Sequence, residues 1–222
     1  MGSVSLLYER AGSTPDMNWV ELPDGRVGLL KKDLSKLDLL CENEYATVAS
    51  FFGLEVSQCI RFNEDHFVSL KEKMPRYEIV DAYDVAEDNA FELYKDNISK
   101  GAYQKLLLLA FVDGVTLQCD RHQGNIAFYK SRSRIIDLYP PYDNVACLEN
   151  SYSRKALLCP LGYSCTHEEV FKWLRSNQDQ FDSLYALYMS DGFTQLANML
   201  SKDSCKILLE QRERIDTYLS SV

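Results

Sequence analysis

Two side chains suited to phosphate chemistry stand five positions apart in the segment DRHQGN, at Asp120 and Asn125. A carboxylate can orient an attacking hydroxyl group and accept its proton, and an amide oxygen can hold Mg²⁺ against a phosphate chain. A loop of this length can bring both groups to one face. The pair therefore favours phosphoryl-transfer chemistry.

The same Asp-to-Asn interval occurs in the protein-kinase catalytic loop H-R-D-x-x-x-x-N, although here Arg121 and His122 follow the aspartate. A further metal contact requires another carboxylate. The turn-rich segment 138–144 supplies one at Asp143, and Asp137 is its rival. His122 is expected to hold the loop together by hydrogen bonds.

The elements around this pair must present it at the end of a helix and the start of a hairpin. The apolar run 101–113 predicts a buried helix that leads into the loop. The β-prone runs 126–129 and 134–136, separated by polar residues, predict a hairpin that leads on to the second carboxylate.

The combination of D-R-H-x-x-N with L-x-P-x-Y-D-N resembles the HipA-like kinases, the catalytic-domain family of bacterial HipA toxins. The resemblance implies that Asp120 is the catalytic base, that Asn125 and Asp143 are metal ligands, and that ATP and Mg²⁺ are the cofactors. Phosphoinositide kinases share D-R-H-x-x-N, whereas the Pro-x-x-Asp-Asn ending favours the HipA-like family.

The first third of the chain has the pattern of a small β-rich lobe. The segments expected to form strands are 3–10, 19–23, 27–31, 54–62 and 66–70. Gly12, Ser13 and Thr14 lie in a small-residue loop whose backbone N–H groups could bind phosphates. Lys31 at the end of a strand is expected to contact the nucleotide, with Lys32 as the alternative.

A helix is predicted over 36–52 from its apolar spacing, with Gly53 at its C-terminal end. A kinase needs one helical glutamate to pair with the strand lysine. The resemblance assigns this role to Glu44, in N-E-Y, while Glu42 lies on the same helix. Both could instead be solvated charges.

These elements predict an α+β, two-lobed, protein-kinase-like fold with a small β-rich N-lobe and a mostly helical C-lobe. The N-lobe would span residues 1–74 and the C-lobe residues 75–222, with the hinge at 71–76. Further C-lobe helices are predicted at 167–175, 179–189, 192–200 and 202–219.

Composition restricts the partners and the compartment. The net charge of −9 disfavours direct binding of nucleic acid and of anionic membranes. The longest apolar run, 106–112, is too short to cross a bilayer. Seven cysteines without a C-x-x-C pair or a secretory signal favour reduced thiols and a cytoplasmic location.

The expected activity is that of an ATP- and Mg²⁺-dependent serine/threonine protein kinase with a protein substrate. The HipA resemblance also implies an antitoxin partner. One alternative is a phosphoinositide or other small-molecule kinase, although only Arg154 and Lys155 are basic between residues 143 and 161. The other is a catalytically inactive nucleotide- or partner-binding module.

Overall fold

The structure is a computed structural model that describes residues 5–9, 18–32, 36–61, 66–71, 77–86, 91–144, 146–148 and 165–221. Gly12, Ser13 and Thr14 lie outside the described residues, as do most of the expected hinge and the basic pair Arg154 and Lys155. The strands are β1 (Ser5–Glu9), β2 (Asn18–Glu21), β3 (Val27–Lys32), β4 (Cys59–Arg61), β5 (His66–Lys71), β6 (Glu78–Asp81), β7 (Ala127–Ser131) and β8 (Arg134–Leu138). The helices are α1 (Lys36–Phe51), α2 (Phe91–Asn97), α3 (Lys100–Thr116), α4 (His167–Asn177), α5 (Phe181–Tyr188), α6 (Asp191–Met199) and α7 (Lys202–Ser220).

The first five strands form one antiparallel sheet in the order β1-β2-β3-β5-β4. The predicted hairpin between β2 and β3 is confirmed. Its turn places Gly25 at a φ of 81°, a left-handed conformation that glycine adopts without strain. Val20, Leu22 and Val68 form the buried cluster of this sheet.

The strand predicted over 54–62 is wrong for its first half, because only β4 is a strand. Ser57 donates hydrogen bonds from its backbone N–H to the carbonyl of Pro141 at 3.0 Å and from its hydroxyl to the carbonyl of Pro140 at 3.1 Å. At Ser57 the segment after α1 is therefore bonded to the loop that follows β8 rather than to a neighbouring strand.

A second antiparallel sheet has the order β6-β7-β8. The predicted hairpin β7–β8 is confirmed, and β6 is a strand that the sequence analysis missed. Successive side chains of a strand point to opposite faces. Val80 and Phe128 accordingly join the main core, while Ile79 and Tyr129 belong to a separate apolar cluster.

The rest of the described chain is mostly helical, which confirms the predicted α+β class. Thr166 caps α4 with a capping box to Glu169, and Ser201 caps α7, as their sequence positions indicate. Aromatic rings from five different segments pack at centroid distances of 4.8 to 6.3 Å. They are Phe52, Phe111, Phe171, Tyr188 and Phe193.

None of the helices in the described ranges is long and apolar enough to span a membrane. Cys41, Cys59, Cys119, Cys147 and Cys205 are free thiols. Cys165 is disulfide-bonded, so the expectation of reduced thiols is wrong at that position.

Candidate active site

The segment 117–125, here termed the catalytic loop, begins where α3 ends. Leu117 caps α3 in the left-handed conformation, with a φ of 55°. Gln118 then accepts a hydrogen bond at its side-chain oxygen from the backbone N–H of Asp120, at 2.8 Å. Its backbone carbonyl lies 3.0 Å from Nε2 of His167 on α4. The start of the loop is therefore held from two sides.

Asp120 and Asn125 are brought together as their spacing predicts. Asn125 is buried and donates from Nδ2 to the backbone carbonyl of Asp120 at 2.9 Å. The side chain of Asp120 is exposed. His122 accepts at Nδ1 from the backbone N–H of Gly124 at 3.0 Å, as the structural role expected for it requires.

Arg121 is fully buried and is the residue that organises the site. It donates from Nε and Nη2 to the two carboxylate oxygens of Asp113 on α3, at 3.0 and 3.1 Å. Burial alone opposes the charged guanidinium, but the Asp113 carboxylate raises the pKa of Arg121 above its ordinary value. The sequence analysis missed this pair, although an aspartate inside a wholly apolar helical run is a signal for one.

Arg121 also binds the segment 139–144, here termed the metal loop because a metal ligand is expected in it at Asp143. It donates from Nη1 to the carbonyl of Tyr142 at 2.9 Å and from Nη2 to Oδ1 of Asn144 at 2.6 Å. The hydroxyl of Tyr142 donates to the carbonyl of Gly124 at 2.9 Å. Both neighbours of Asp143 are therefore fixed to the catalytic loop or to its arginine.

Asp143 has a φ of 60°, which is uncommon for a residue other than glycine and is tolerated best by Asp and Asn. Asp137, its rival, is engaged elsewhere. Its carboxylate lies 2.6 Å from Nζ of Lys105 on α3 and accepts from the backbone N–H of Leu138 at 2.8 Å. The geometry favours Asp143 as the carboxylate beside the catalytic loop.

The two glutamates of α1 face different partners. Glu44 accepts from the backbone N–H of Ser201 at 2.6 Å and from the hydroxyl of Ser204, at the start of α7. Glu42 accepts instead from Nδ2 of Asn144 in the metal loop, at 3.0 Å. The carboxylate of Glu44 is therefore bonded to the start of α7, and its expected pairing with a lysine stays a prediction. The side chains of Lys31 and Lys32 lie outside the described residues.

An apolar cluster covers the face of the β6-β7-β8 sheet that points away from the main core. Its members are Ile79, Ala127, Tyr129, Ile136, Tyr139 and Tyr142. The ring of Tyr77, which is 38% exposed, lies 6.1 Å from that of Tyr129. Tyr139 and Tyr142 extend the cluster to the metal loop, so this face is continuous with the site around Asp143.

Within the described ranges, no group of three or more His, Cys, Asp or Glu side chains could hold a metal ion by itself. A cation beside Asn125 and Asp143 would need additional oxygen ligands. Phosphate oxygens and water provide such ligands when Mg²⁺ binds together with a nucleotide. An amide oxygen and a carboxylate are the oxygen donors that a hard cation such as Mg²⁺ takes.

The unfolding free energy of the protein is expected to depend on pH through the buried side chain of His167. Burial lowers the pKa of His167 in the folded state, whereas the unfolded ring titrates near its ordinary value of 6.5. The unfolded chain binds more protons at acid pH, so the unfolding free energy is expected to fall below about pH 6.5, by at most about 1.4 kcal/mol per pH unit. Chemical denaturation across this range checks it. His167→Gln can still donate to Gln118 and should show a shallower slope, whereas parallel curves would contradict the assignment.

Solved structures provide a comparison for the whole arrangement. The chain is similar to the proinflammatory kinase CtkA of Helicobacter pylori, with a TM-score of 0.63 and 12% identity over 97% of this chain and 92% of that chain. It is also similar to HipA of Shewanella oneidensis MR-1, solved with HipB and operator DNA, with a TM-score of 0.52 and 13% identity over 86% of this chain. The match covers 57% of that HipA chain. No protein-family model and no curated protein sequence matches the chain.

At such low identity, these likenesses establish the fold. The chain has the predicted two-lobed, protein-kinase-like fold, with a small β-rich N-lobe and a mostly helical C-lobe.

Proposed function

We propose that this chain is an ATP- and Mg²⁺-dependent serine/threonine protein kinase of the HipA-like type. The observation that carries the proposal is the contact of one buried arginine, Arg121, with both Asn144 and the carbonyl of Tyr142. Because Arg121 directly follows Asp120, this contact holds Asp143 beside the catalytic loop. The kinase-like fold supports the same activity by analogy.

In this proposal Asp120 is the general base that accepts the proton of the acceptor hydroxyl. Its exposure suits a group that must meet a protein substrate. Asn125 through Oδ1 and Asp143 through its carboxylate would hold Mg²⁺. The ion would neutralise the charge that develops on the transferred phosphoryl group. The protein contributes position and electrostatics, which account for most of the catalysis in this reaction class.

The N-lobe would supply the remaining nucleotide contacts. We propose that Lys31 binds the phosphates and that Glu42, which faces the metal loop, is a better candidate for its partner than Glu44. Gly12, Ser13 and Thr14 would cover the phosphates with their backbone N–H groups, as expected of a small-residue loop. The division into lobes at residues 1–74 and 75–222 is part of the same proposal.

The apolar face of the β6-β7-β8 sheet is the proposed floor for the adenine ring. Its members come from all three strands, and Tyr139 and Tyr142 continue it into the metal loop that contains Asp143. Buried apolar and aromatic side chains are the usual lining of nucleotide pockets. Tyr77 and Tyr129 would stand at the hinge side of this floor.

The HipA likeness suggests a protein partner for this chain, because that HipA was solved with HipB and operator DNA. We propose an antitoxin-like protein that restrains the kinase. The net charge of −9 argues against direct contact of this chain with DNA. A cytoplasmic location, where ATP and Mg²⁺ are supplied, remains a prediction.

Replacing Asp143 and Asp137 one at a time tests which of the two carboxylates holds the metal. Asp143→Ala should lower the phosphoryl-transfer rate at a fixed, low Mg²⁺ concentration by about 100-fold, because a metal ligand is lost. Asp137→Ala removes a partly exposed ion pair with Lys105 and a hydrogen bond from the backbone N–H of Leu138. An exposed ion pair of this kind contributes at most about 1 kcal/mol. The rate of this variant should stay within about twofold of the wild type. Equal losses in the two variants would refute the assignment of the metal to Asp143.

The function is tested by incubating the protein with ATP labelled at the γ-phosphate, in the presence of Mg²⁺, with protein acceptors and with phosphoinositide vesicles. Label on serine or threonine of a protein is expected. Label on lipid alone would favour a phosphoinositide kinase. Nucleotide binding without any transfer would favour an inactive binding module.

A further inference from the structure

One exposed aromatic ring lies against the catalytic loop. Tyr83 is in the short 3₁₀ turn Ala82–Asp84 that follows β6, and it is 61% exposed. A Cβ atom on Gly124 would lie 3.5 Å from Cε2 of Tyr83 and 2.8 Å from Cε1 of His122. Because Gly124 has no side chain, both rings pack closely against the loop, while most of the surface of Tyr83 stays in contact with solvent.

The turn that carries Tyr83 is bonded to the catalytic loop and its flank on both sides of the ring. The backbone N–H of Ala82 donates to the carbonyl of Ile126 at 3.0 Å. The carbonyl of Ala86 accepts from Nε2 of the buried Gln123 at 2.7 Å. The ring is therefore held in place before anything binds to it. An aromatic side chain that is ordered in advance loses little conformational entropy when a partner binds.

A series of contacts leads along the loop from Tyr83 to Asp120, the proposed base. The backbone N–H of His122 donates to the carbonyl of Asp120 at 2.9 Å, and its Nδ1 accepts from the backbone N–H of Gly124 at 3.0 Å. The Tyr83 ring borders the same glycine. An extended peptide advances about 3.3 Å per residue. A peptide whose hydroxyl meets Asp120 would therefore bring residues next to that hydroxyl within reach of the ring.

The charges around the ring favour a cationic side chain as its partner. Within the described residues 81–86 and 117–125 no lysine or arginine is exposed, because Arg121 is fully buried against Asp113. The side chain of Asp120 is exposed, and the whole chain has a net charge of −9. A guanidinium group is planar and always charged, so it can stack on an aromatic face, whereas the ammonium group of lysine is a compact point charge.

We propose that Tyr83 is a specificity-determining residue that selects acceptor proteins with an arginine close to the phosphorylated serine or threonine. The guanidinium would stack on the Tyr83 ring while the acceptor hydroxyl meets Asp120. The inference rests on the function proposed above and adds the class of protein on which the kinase acts. Because the ring binds the acceptor in the ground state and the transition state alike, it should act mainly through the KM for the acceptor.

The test uses synthetic serine peptides with ATP and Mg²⁺. A single arginine is moved in turn to each position around the serine, and a peptide with alanine in its place is the reference. At one or more positions arginine is expected to raise kcat/KM about fivefold over the reference, the size of a cation–π contact at an exposed site. Lysine at the same position should raise it less.

Tyr83→Ala is expected to reduce this arginine preference to less than about twofold. Tyr83→Phe keeps the ring and should keep the preference. Met199→Ala is the control, because it removes an 81% exposed side chain from α6, and it should have the preference of the wild type. The KM for ATP and the melting temperature are measured for each variant, since a structural role of the ring would change them as well.

The possible results distinguish the role of Tyr83 from the kinase activity on which it depends. A wild-type protein that labels neither peptides nor proteins would overturn both proposals. If only proteins are labelled, mapped sites without an arginine nearby would overturn the role of Tyr83 alone. So would peptides labelled without an arginine preference, or with a preference for an apolar neighbour. An arginine preference that Tyr83→Ala retains, that Tyr83→Phe loses, or that changes together with the KM for ATP would also overturn it.

Discussion

Asp120→Asn is expected to lower the rate of phosphoryl transfer by about 10²- to 10⁴-fold, the usual contribution of a general base. The fold should survive the change, because the structural hydrogen bonds of Asp120 run through its backbone. Its N–H donates to Gln118, and its carbonyl accepts from His122 and Asn125. The variant should therefore bind Mg²⁺ and ATP as the wild type does. Rate and nucleotide affinity are measured on the same preparation.

Asp84→Asn is the control for Asp120. Asp84 is an exposed aspartate in the turn after β6, so its replacement removes one negative charge near the catalytic loop without removing the proposed base. Its rate should stay within about twofold of the wild type. If Asp120→Asn also kept more than a tenth of the wild-type rate, the base would have to be assigned to another group.

Arg121→Met is expected to destabilise the protein by about 3–5 kcal/mol, because it leaves the buried Asp113 carboxylate without its cation. The Tyr142 carbonyl and the Asn144 amide oxygen lose their donor in the same step. The change in unfolding free energy is measured by denaturant titration. Arg134→Met removes an exposed arginine at the start of β8 and should change it by less than about 0.5 kcal/mol.

A double variant distinguishes the stability lost with the buried ion pair from the stability lost with side-chain volume. Asp113→Leu combined with Arg121→Met removes both charges, and replacement of a whole buried pair is far less costly than removal of one partner. The double variant should therefore lose less stability than the sum of the two single variants. Additive losses would show that Arg121 and Asp113 do not act as a pair.

The approach of Asn125 to Asp120 could be predicted because the proposed chemistry depends on spacing along the chain. The interval from Asp120 to Asn125 and the hairpin after it are local features, and local periodicity predicts them well. The sequence leaves Asp137 and Asp143 as alternative metal ligands, and the contact that distinguishes them is not a local one. The Lys105 side chain that engages Asp137 comes from α3, 32 residues away in the sequence.

The choice between Glu42 and Glu44 could not be made from helical periodicity. Two residues apart on a helix, they point about 200° apart around the axis, and only the packing of α1 decides which one meets the metal loop. The likeness to N-E-Y of HipA-like sequences favoured Glu44, whereas the fold directs Glu44 to α7. The sequence did not indicate Arg121 as a site residue either. Arginine is rarely buried, and its partner Asp113 is on another element.

The proposed function requires that one Mg²⁺ ion contacts both the catalytic loop and the metal loop. A crystal structure of the protein with Mg²⁺ and a non-hydrolysable ATP analogue measures this. The proposal predicts that the ion contacts Oδ1 of Asn125 and the carboxylate of Asp143, with Asp120 facing the terminal phosphate. An ion bound to neither residue, or a nucleotide bound away from the apolar face of the β6-β7-β8 sheet, would contradict it.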